Sequence, residues 1–158
     1  MKKISIVTPC YNEDQNVELL INSVRNVMLK NPEYEYEFFE DADCRKFIED
    51  NFDKSILEAY DTLIPNAFKA DLFRYCYLYK NGGVYTDCKM ILRLPFREWI
   101  PKNEDYILVE DAGNKQFYNA VMGLKAKNNA IYSAILKIKD NISSQKGDTT
   151  RHSGYKEC

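Results

Sequence analysis

Residues 66 to 88 read N-A-F-K-A-D-L-F-R-Y-C-Y-L-Y-K-N-G-G-V-Y-T-D-C: a segment of helical period, stopped by Gly82-Gly83 and followed at once by a short β-branched run. Phe68, Leu72, Tyr75, Cys76 and Tyr79 fall on one helical stripe, with Asp71 and Arg74 together on its flank. The two glycines accept positive φ and end the helix. A helix returned so tightly into a strand that delivers Asp87 at its end is a unit of α/β packing, in which the strand lies under the helix.

The rest of the chain repeats that alternation. Ile4, Ile6 and Val7, stopped by Pro9, form a short continuous apolar strand suited to a sheet covered on both faces. Val17, Leu20, Ile21, Val24, Val27 and Met28 recur at spacings of three and four, with Asn12 or Asp14 to cap the helix and Asn31-Pro32 to end it. Tyr34, Tyr36, Phe38 and Phe39 alternate with Glu35 and Glu37 in a second strand, so the opening is β-α-β with a parallel crossover. Helical patterns follow through Cys44, Phe47 and Ile48 and through Ile56, Leu57 and Tyr60. Val84 to Thr86, Met90 to Leu92, Ile107 to Val109 and Ala120 to Leu124 read as strands, and Ala130 to Ile142 as an amphipathic helix. The expected fold is α/β, a mainly parallel sheet flanked by helices. Residues 1 to 143 form one domain, and a polar tail over residues 144 to 158 carries no apolar period. Ligands of such sheets sit beyond the carboxyl ends of the strands. Pro9 to Glu13 and Asp87 to Lys89 therefore become candidates to face one cleft.

Composition narrows the functional classes. With 45% hydrophobic and 29% charged residues in 158, the chain has the make-up of one folded domain. A net charge of −2 lacks the concentrated positive face that duplex nucleic acid requires. The charge is nonetheless segregated: Glu33 to Asp61 holds eleven acids and three bases, and Asn114 to Lys139 holds five lysines and no acid. The longest near-apolar run, residues 4 to 11, is too short to span a bilayer and is broken by Pro9, so neither a transmembrane segment nor a secretory signal is expected. Five widely spaced cysteines and the lone His152 exclude an ordinary zinc finger and disfavour a disulfide framework. A reducing, cytoplasmic setting is the expectation, with peripheral membrane contact left open.

Alone, an acid at i with arginine at i+3 is an exposed ion pair worth a few tenths of a kcal/mol, on the order of 0.3. At this spacing, however, Ala70 to Asp87 resembles the signature of family 32 glycosyltransferases, approximately A-D-x-x-R-Y, x-L-y, x-G-G-x-Y-x-D-x-D. Residues 31 to 43, N-P-E-Y-E-Y-E-F-F-E-D-A-D, are similar to the same family's lead-in. The resemblance implies a nucleotide-sugar-binding fold of the GT-A type and retaining transfer of a hexose from a UDP- or GDP-sugar. The acceptor would be a glycan or glycolipid, as in capsular polysaccharide or glycoconjugate synthesis. It also implies a divalent metal, Mn2+ or Mg2+.

Carried onto this chain, the resemblance gives Asp71 and Arg74 the donor sugar, and Gly82 and Gly83 a turn passing close to the donor. Asp87 matches the first aspartate of the metal motif and would be the metal ligand; Lys89 stands where the second is expected. Asn119, in F-Y-N-A-V-M, is similar to an asparagine that recurs after the motif. A second resemblance, of S-I-V-T-P-C-Y-N-E to the opening strand and loop of family 2 glycosyltransferases, implies that Pro9 and Tyr11 line the base pocket with Glu13 nearby. By the same analogy Glu110-Asp111 could hold a base.

The residues read alone support a similar site. A leaving diphosphate needs positive charge where its own charge develops, from a metal or from Arg74, Lys89 and Lys69. Asp71 and Asp87 can accept hydrogen bonds from hydroxyls. Trp99 reads as a hydrophobic anchor. A chain ending soon after the last helix leaves open a truncated or inactive sugar-nucleotide-binding domain.

Overall fold

A computed structural model describes residues 2–7, 17–64, 66–87, 90–101, 104–110, 113 and 116–146. Five strands and six helices follow in the order β1 (Lys2–Val7), α1 (Val17–Lys30), β2 (Tyr34–Phe39), α2 (Asp41–Asn51), α3 (Lys54–Thr62), α4 (Asn66–Asn81), β3 (Gly83–Asp87), α5 (Phe96–Trp99), β4 (Tyr106–Glu110), β5 (Phe117–Leu124) and α6 (Asn129–Lys146). They form one sheet of order β2-β1-β3-β5-β4.

The expected α/β class stands, and the sheet is mixed. β1 pairs in parallel with β2 and β3. β5 enters antiparallel to both β3 and β4. The carboxyl ends of β1 and β3 lie side by side, with Val7 paired to Asp87. The antiparallel entry of β5 brings its first residues to that same edge.

Side chains on either side of the sheet form two cores. Val27 of α1, Tyr34, Val84, Leu92 and Phe96 pack together on one side. Ile48, Ile56, Leu72, Phe73, Tyr77, Tyr85, Met122 and Ile135 belong to the larger cluster on the other. Strand alternation explains how Val84 and Tyr85 join opposite cores, and it sends Asp87 to the side of Tyr85 and α4.

Helix α4 is buried more fully than a one-sided stripe allows. Leu72, Phe73, Cys76, Tyr77 and Leu78 are all at most 1% exposed, and Arg74 is only 6% exposed. α2, α3 and α6 cover the side of α4 that a surface helix would show to water, so a stripe read from one face misses Phe73, Tyr77 and Leu78. Phe39, Phe47, Phe73 and Tyr77 fill this space as an aromatic cluster, with ring centroids 5.0 to 6.4 Å apart. Fully burying one such ring is worth about 1.5–3 kcal/mol.

Two expected boundaries move. Met90 to Leu92 is not a strand. The Met90 amide turns back to the Asp87 carbonyl at 3.2 Å, and the Leu92 amide donates to Asn26 Oδ1 of α1 at 2.8 Å. Fully buried Asn31, just past α1, accepts from the Phe96 amide at 2.6 Å and donates to the Val27 carbonyl at 2.8 Å. Two asparagine side chains thus hold residues 90–96 against α1 in place of a ladder. At the other end, α6 runs to Lys146, past the expected start of the tail at residue 144. Trp99 packs edge-on against Phe96 at 5.5 Å, as an anchor would.

Candidate active site

The carboxyl edge of the sheet carries one compact polar cluster. Arg74 Nη2 is 2.8 Å from Asp71 Oδ1, and Arg74 Nη1 is 3.4 Å from Asp87 Oδ1. Arg74 Nη1 also donates to the Asn119 carbonyl at 2.7 Å, while the Asn119 side-chain amide donates to Asp71 Oδ1 at 3.2 Å. Beneath this network lies Tyr85. Its ring centroid is 4.4 Å from the guanidinium carbon of Arg74, and its hydroxyl donates to Asp87 Oδ1 at 2.5 Å. Burial raises the Tyr85 hydroxyl pKa, so it remains a donor throughout the ordinary pH range.

Each member arrives for a local reason. Asp71 and Arg74 are one helical turn apart on α4. Tyr85 and Asp87 are alternate residues of β3, on the face that α4 covers. Asn119 depends on an irregularity: Leu108 pairs with Met122 but Val109 with Tyr118, so Asn119, Ala120 and Val121 have no partner on β4. Such a bulge re-aims backbone and side chain together, and here both the carbonyl and the amide of Asn119 reach the cluster.

Arg74 is the buried centre of the cluster and not part of an exposed pair on a flank. Its side chain is 7% exposed, against 32% for Asp71 and 41% for Asp87. Removing one partner of a buried pair costs roughly 3–5 kcal/mol, far more than an exposed pair is worth. Desolvation raises the Asp71 pKa, opposed by Arg74 and by the Asn119 hydrogen bond, with the charge of Asp87 adding to the rise. One cation shared by two carboxylates leaves the trio anionic, so Arg74 is committed to the aspartates and unsuited to hold a diphosphate. Lys69 is committed as well, its ammonium 5.4 Å from the Tyr60 ring centroid.

Of the residues singled out in the sequence, Asp71, Arg74, Asp87 and Asn119 are brought together. Gly82 and Gly83 are not: they stand at the amino end of β3, about 13 Å of strand from Asp87. Gly82 has φ +68°, and a Cβ there would lie 2.7 Å from the Ala126 amide nitrogen and 3.0 Å from the Leu124 carbonyl. The close approach that needs glycine, at Gly82, is to the chain after β5. Pro9, Tyr11, Glu13, Lys89 and Asp111 lie outside the described residues. Glu110, exposed at the end of β4, is at the same sheet edge as the cluster. Tyr85 was missed in the sequence because a tyrosine in a buried strand reads as core; its spacing of two from Asp87 was the available signal.

For a divalent metal, the described residues contain no group of three or more His, Cys, Asp or Glu that could hold an ion. Asp87 can offer a single carboxylate whose Oδ1 is already engaged by Tyr85 and Arg74. That fits an ion held mainly by diphosphate oxygens and water, as Mg2+ often is, and not one caged by protein.

The acid-arginine-acid cluster at the carboxyl edge of this α/β sheet presents carboxylates that can accept hydrogen bonds from hydroxyl groups. The family model described as a glycosyltransferase sugar-binding region containing a DXD motif matches residues 17–106, and the chain belongs to that family. It is 36% identical over 77 residues to the initiation-specific alpha-1,6-mannosyltransferase of Candida albicans, covering 48% of this chain and 20% of that protein. It is 30% identical over 82 residues to inositol phosphoceramide mannosyltransferase 3 of Schizosaccharomyces pombe, covering 52% of this chain and 23% of that one. The chain thus spans about a fifth of the length of these curated relatives. Its fold resembles that of the PaToxG glycosyltransferase at a TM-score of 0.61 and 16% identity, covering 94% of this chain and 63% of the other. No helix among the described residues is long and apolar enough to cross a membrane.

Proposed function

We propose that this domain binds a nucleotide-diphospho-hexose, UDP- or GDP-linked, and takes part in passing the hexose, with retention, to a hydroxyl of a glycan or glycolipid in polysaccharide or glycoconjugate synthesis. The observation that carries this reading is the bridging of Asp71 and Asp87 by buried Arg74, with Asn119 closing the network. The names of two relatives favour mannose as the hexose.

In this reading Asp71, whose pKa burial raises, accepts hydroxyl hydrogen bonds from the sugar in its carboxylate form. Arg74 fixes both aspartates in position from below, and Tyr85 holds Asp87 in a single orientation. Asn119 orients Asp71 through its amide. Preorganised groups of this kind lower the cost of aligning the donor before reaction. Asp87 would hold any bound Mn2+ or Mg2+ together with the donor, in a role secondary to that of Lys89. Lys89, two residues on, would supply positive charge from the protein itself.

Hydrolysis of UDP- and GDP-hexoses in the absence of acceptor tests the proposal. Slow release of free hexose that retains the donor's anomeric configuration, and that is lost in Asp71→Asn, is the expected result. No turnover of any hexose donor by a folded parent would leave a sugar-nucleotide-binding domain in its place.

A further inference from the structure

Glu110, the last residue of β4, stands directly opposite Phe117, the first of β5. Such cross-strand partners have Cβ atoms about 4.5–5.5 Å apart and project from the same face of the sheet. Both are exposed, and Phe117 is 75% exposed, more than any other large hydrophobic residue described except Ile64. A single exposed ring is ordinary by itself; what singles out Phe117 is its place beside Glu110 at the edge that carries the polar cluster.

The location decides which ligand. Phe117 is two residues before Asn119, so its Cα is within about 7 Å of that of the residue that binds both Asp71 and Arg74. Tyr118 extends the aromatic edge toward the Asp87 turn, its hydroxyl 3.8 Å from Met90 Sδ. On the face that Phe117 shares with Glu110 the apolar surface is one ring wide, with a carboxylate beside it, since Tyr118, paired to Val109, projects from the other face. A lipid tail or apolar helix would gain little from so narrow a face and would strand Glu110 without water. A pyranose suits it: the axial C–H groups of one ring face lie on the electron-rich phenyl face, and a ring-edge hydroxyl donates to the carboxylate.

We infer that Phe117 and Glu110 form an acceptor-sugar subsite, in which Phe117 stacks on a pyranose and Glu110 accepts from one of its hydroxyls beside the donor cluster. This rests on the transferase reading above and adds to it the residues that would hold the acceptor sugar. Asn119 then sits between the two halves of the site, touching the donor carboxylate from a strand whose first residue carries the acceptor.

Saturation-transfer NMR with methyl α-D-mannopyranoside, methyl α-D-glucopyranoside and methyl α-D-galactopyranoside tests the subsite on the full chain. At least one should receive saturation from aromatic protons of the parent. Phe117→Ala should weaken that binding roughly tenfold, the scale of one aromatic contact. Phe117→Tyr should keep it, and Glu110→Gln should weaken it with stacking retained. Thermal shifts with UDP- and GDP-hexoses on the same samples should be alike in parent and variants. Pyranoside binding absent from the parent, or undiminished in Phe117→Ala, overturns the subsite. So does a donor shift lost together with pyranoside binding in Phe117→Ala, since that marks a structural role. A donor shift missing from the parent itself contradicts the transferase reading and leaves the pyranoside comparison to decide the subsite separately.

Discussion

Arg74 and Asp71 meet at 2.8 Å with unequal exposure: the arginine side chain is 7% accessible and the aspartate 32%. The cation belongs to the interior and the anion to the cleft. Losing one should therefore damage the fold, and losing the other should damage binding.

Replacing Arg74 by alanine should destabilise the chain by about 1.5–3 kcal/mol, the scale of hydrogen bonds to charged groups, because two carboxylates and the Asn119 carbonyl lose their shared donor. Asp71→Asn keeps the shape and a hydrogen-bonding oxygen and should be much milder. Urea denaturation of the two variants measures the difference; equal, small losses would mean that the pair is an ordinary surface contact.

Tyr85→Phe keeps the ring under Arg74 and removes the hydroxyl from Asp87 Oδ1. The loss of one buried hydrogen bond should cost about 0.5–1.5 kcal/mol, or up to about 3 with a charged partner. Donor turnover should fall further than stability suggests, because Asp87 is freed to rotate. A variant that loses stability but hydrolyses a hexose donor like the parent would show that orienting Asp87 does not matter.

The raised pKa of Asp71 gives a pH dependence of definite sign. Its ionised form is disfavoured in the folded chain relative to the unfolded one, so this group's contribution to stability grows as pH falls through its folded pKa toward the ordinary carboxylate value, and is lost as pH rises. Activity should move the opposite way, since the hydroxyl acceptor is the carboxylate. The acid limb of the donor-hydrolysis profile should begin above the ordinary carboxylate range in the parent and be missing from the residual activity of Asp71→Asn. A limb at the same pH in both would assign it to another group.

Much of this site was legible because it is local. Asp71 and Arg74 share a helix turn, and Gly82-Gly83 with the β-branched run after it marks the strand that ends at Asp87. The burial of Arg74 was not legible, since it depends on α2, α3 and α6 covering α4 from elsewhere in the chain. Nor was the geometry of Asn119, which a bulge between β4 and β5 creates. The glycine pair was legible as a close approach but not as what it approaches: here Gly82 meets the backbone of residues 124 to 126. The antiparallel entry of β5 was likewise hidden, because an apolar strand reads the same in either direction.

Gly82→Ala should accordingly be a folding defect. Its Cβ would press on backbone nitrogen at 2.7 Å in a left-handed conformation, a strain of roughly 1–3 kcal/mol. Donor affinity of the folded fraction, measured by titration below its melting temperature, should match the parent. Weaker donor binding at unchanged stability would return the glycine pair to the donor site.

Lys89 is a protein cation proposed for the diphosphate. Chelating divalent metal should change donor affinity little in the parent. Lys89→Asp should lose affinity in chelator and regain it with manganese, since the substitution restores the second carboxylate of the motif. Strong metal dependence in the parent would sink this assignment.

Calorimetric titration of the parent and of Asp71→Asn with UDP- and GDP-hexoses, each with and without manganese, most directly tests whether the Asp71-Arg74-Asp87 cluster is a donor-sugar site. The parent should bind at least one donor and gain about 2.7 kcal/mol of stability at a hundredfold excess over Kd. Asp71→Asn should bind the same donor at least tenfold more weakly, with its fold intact. Equal affinity in the two proteins, or no binding of any hexose donor by the folded parent, would contradict it.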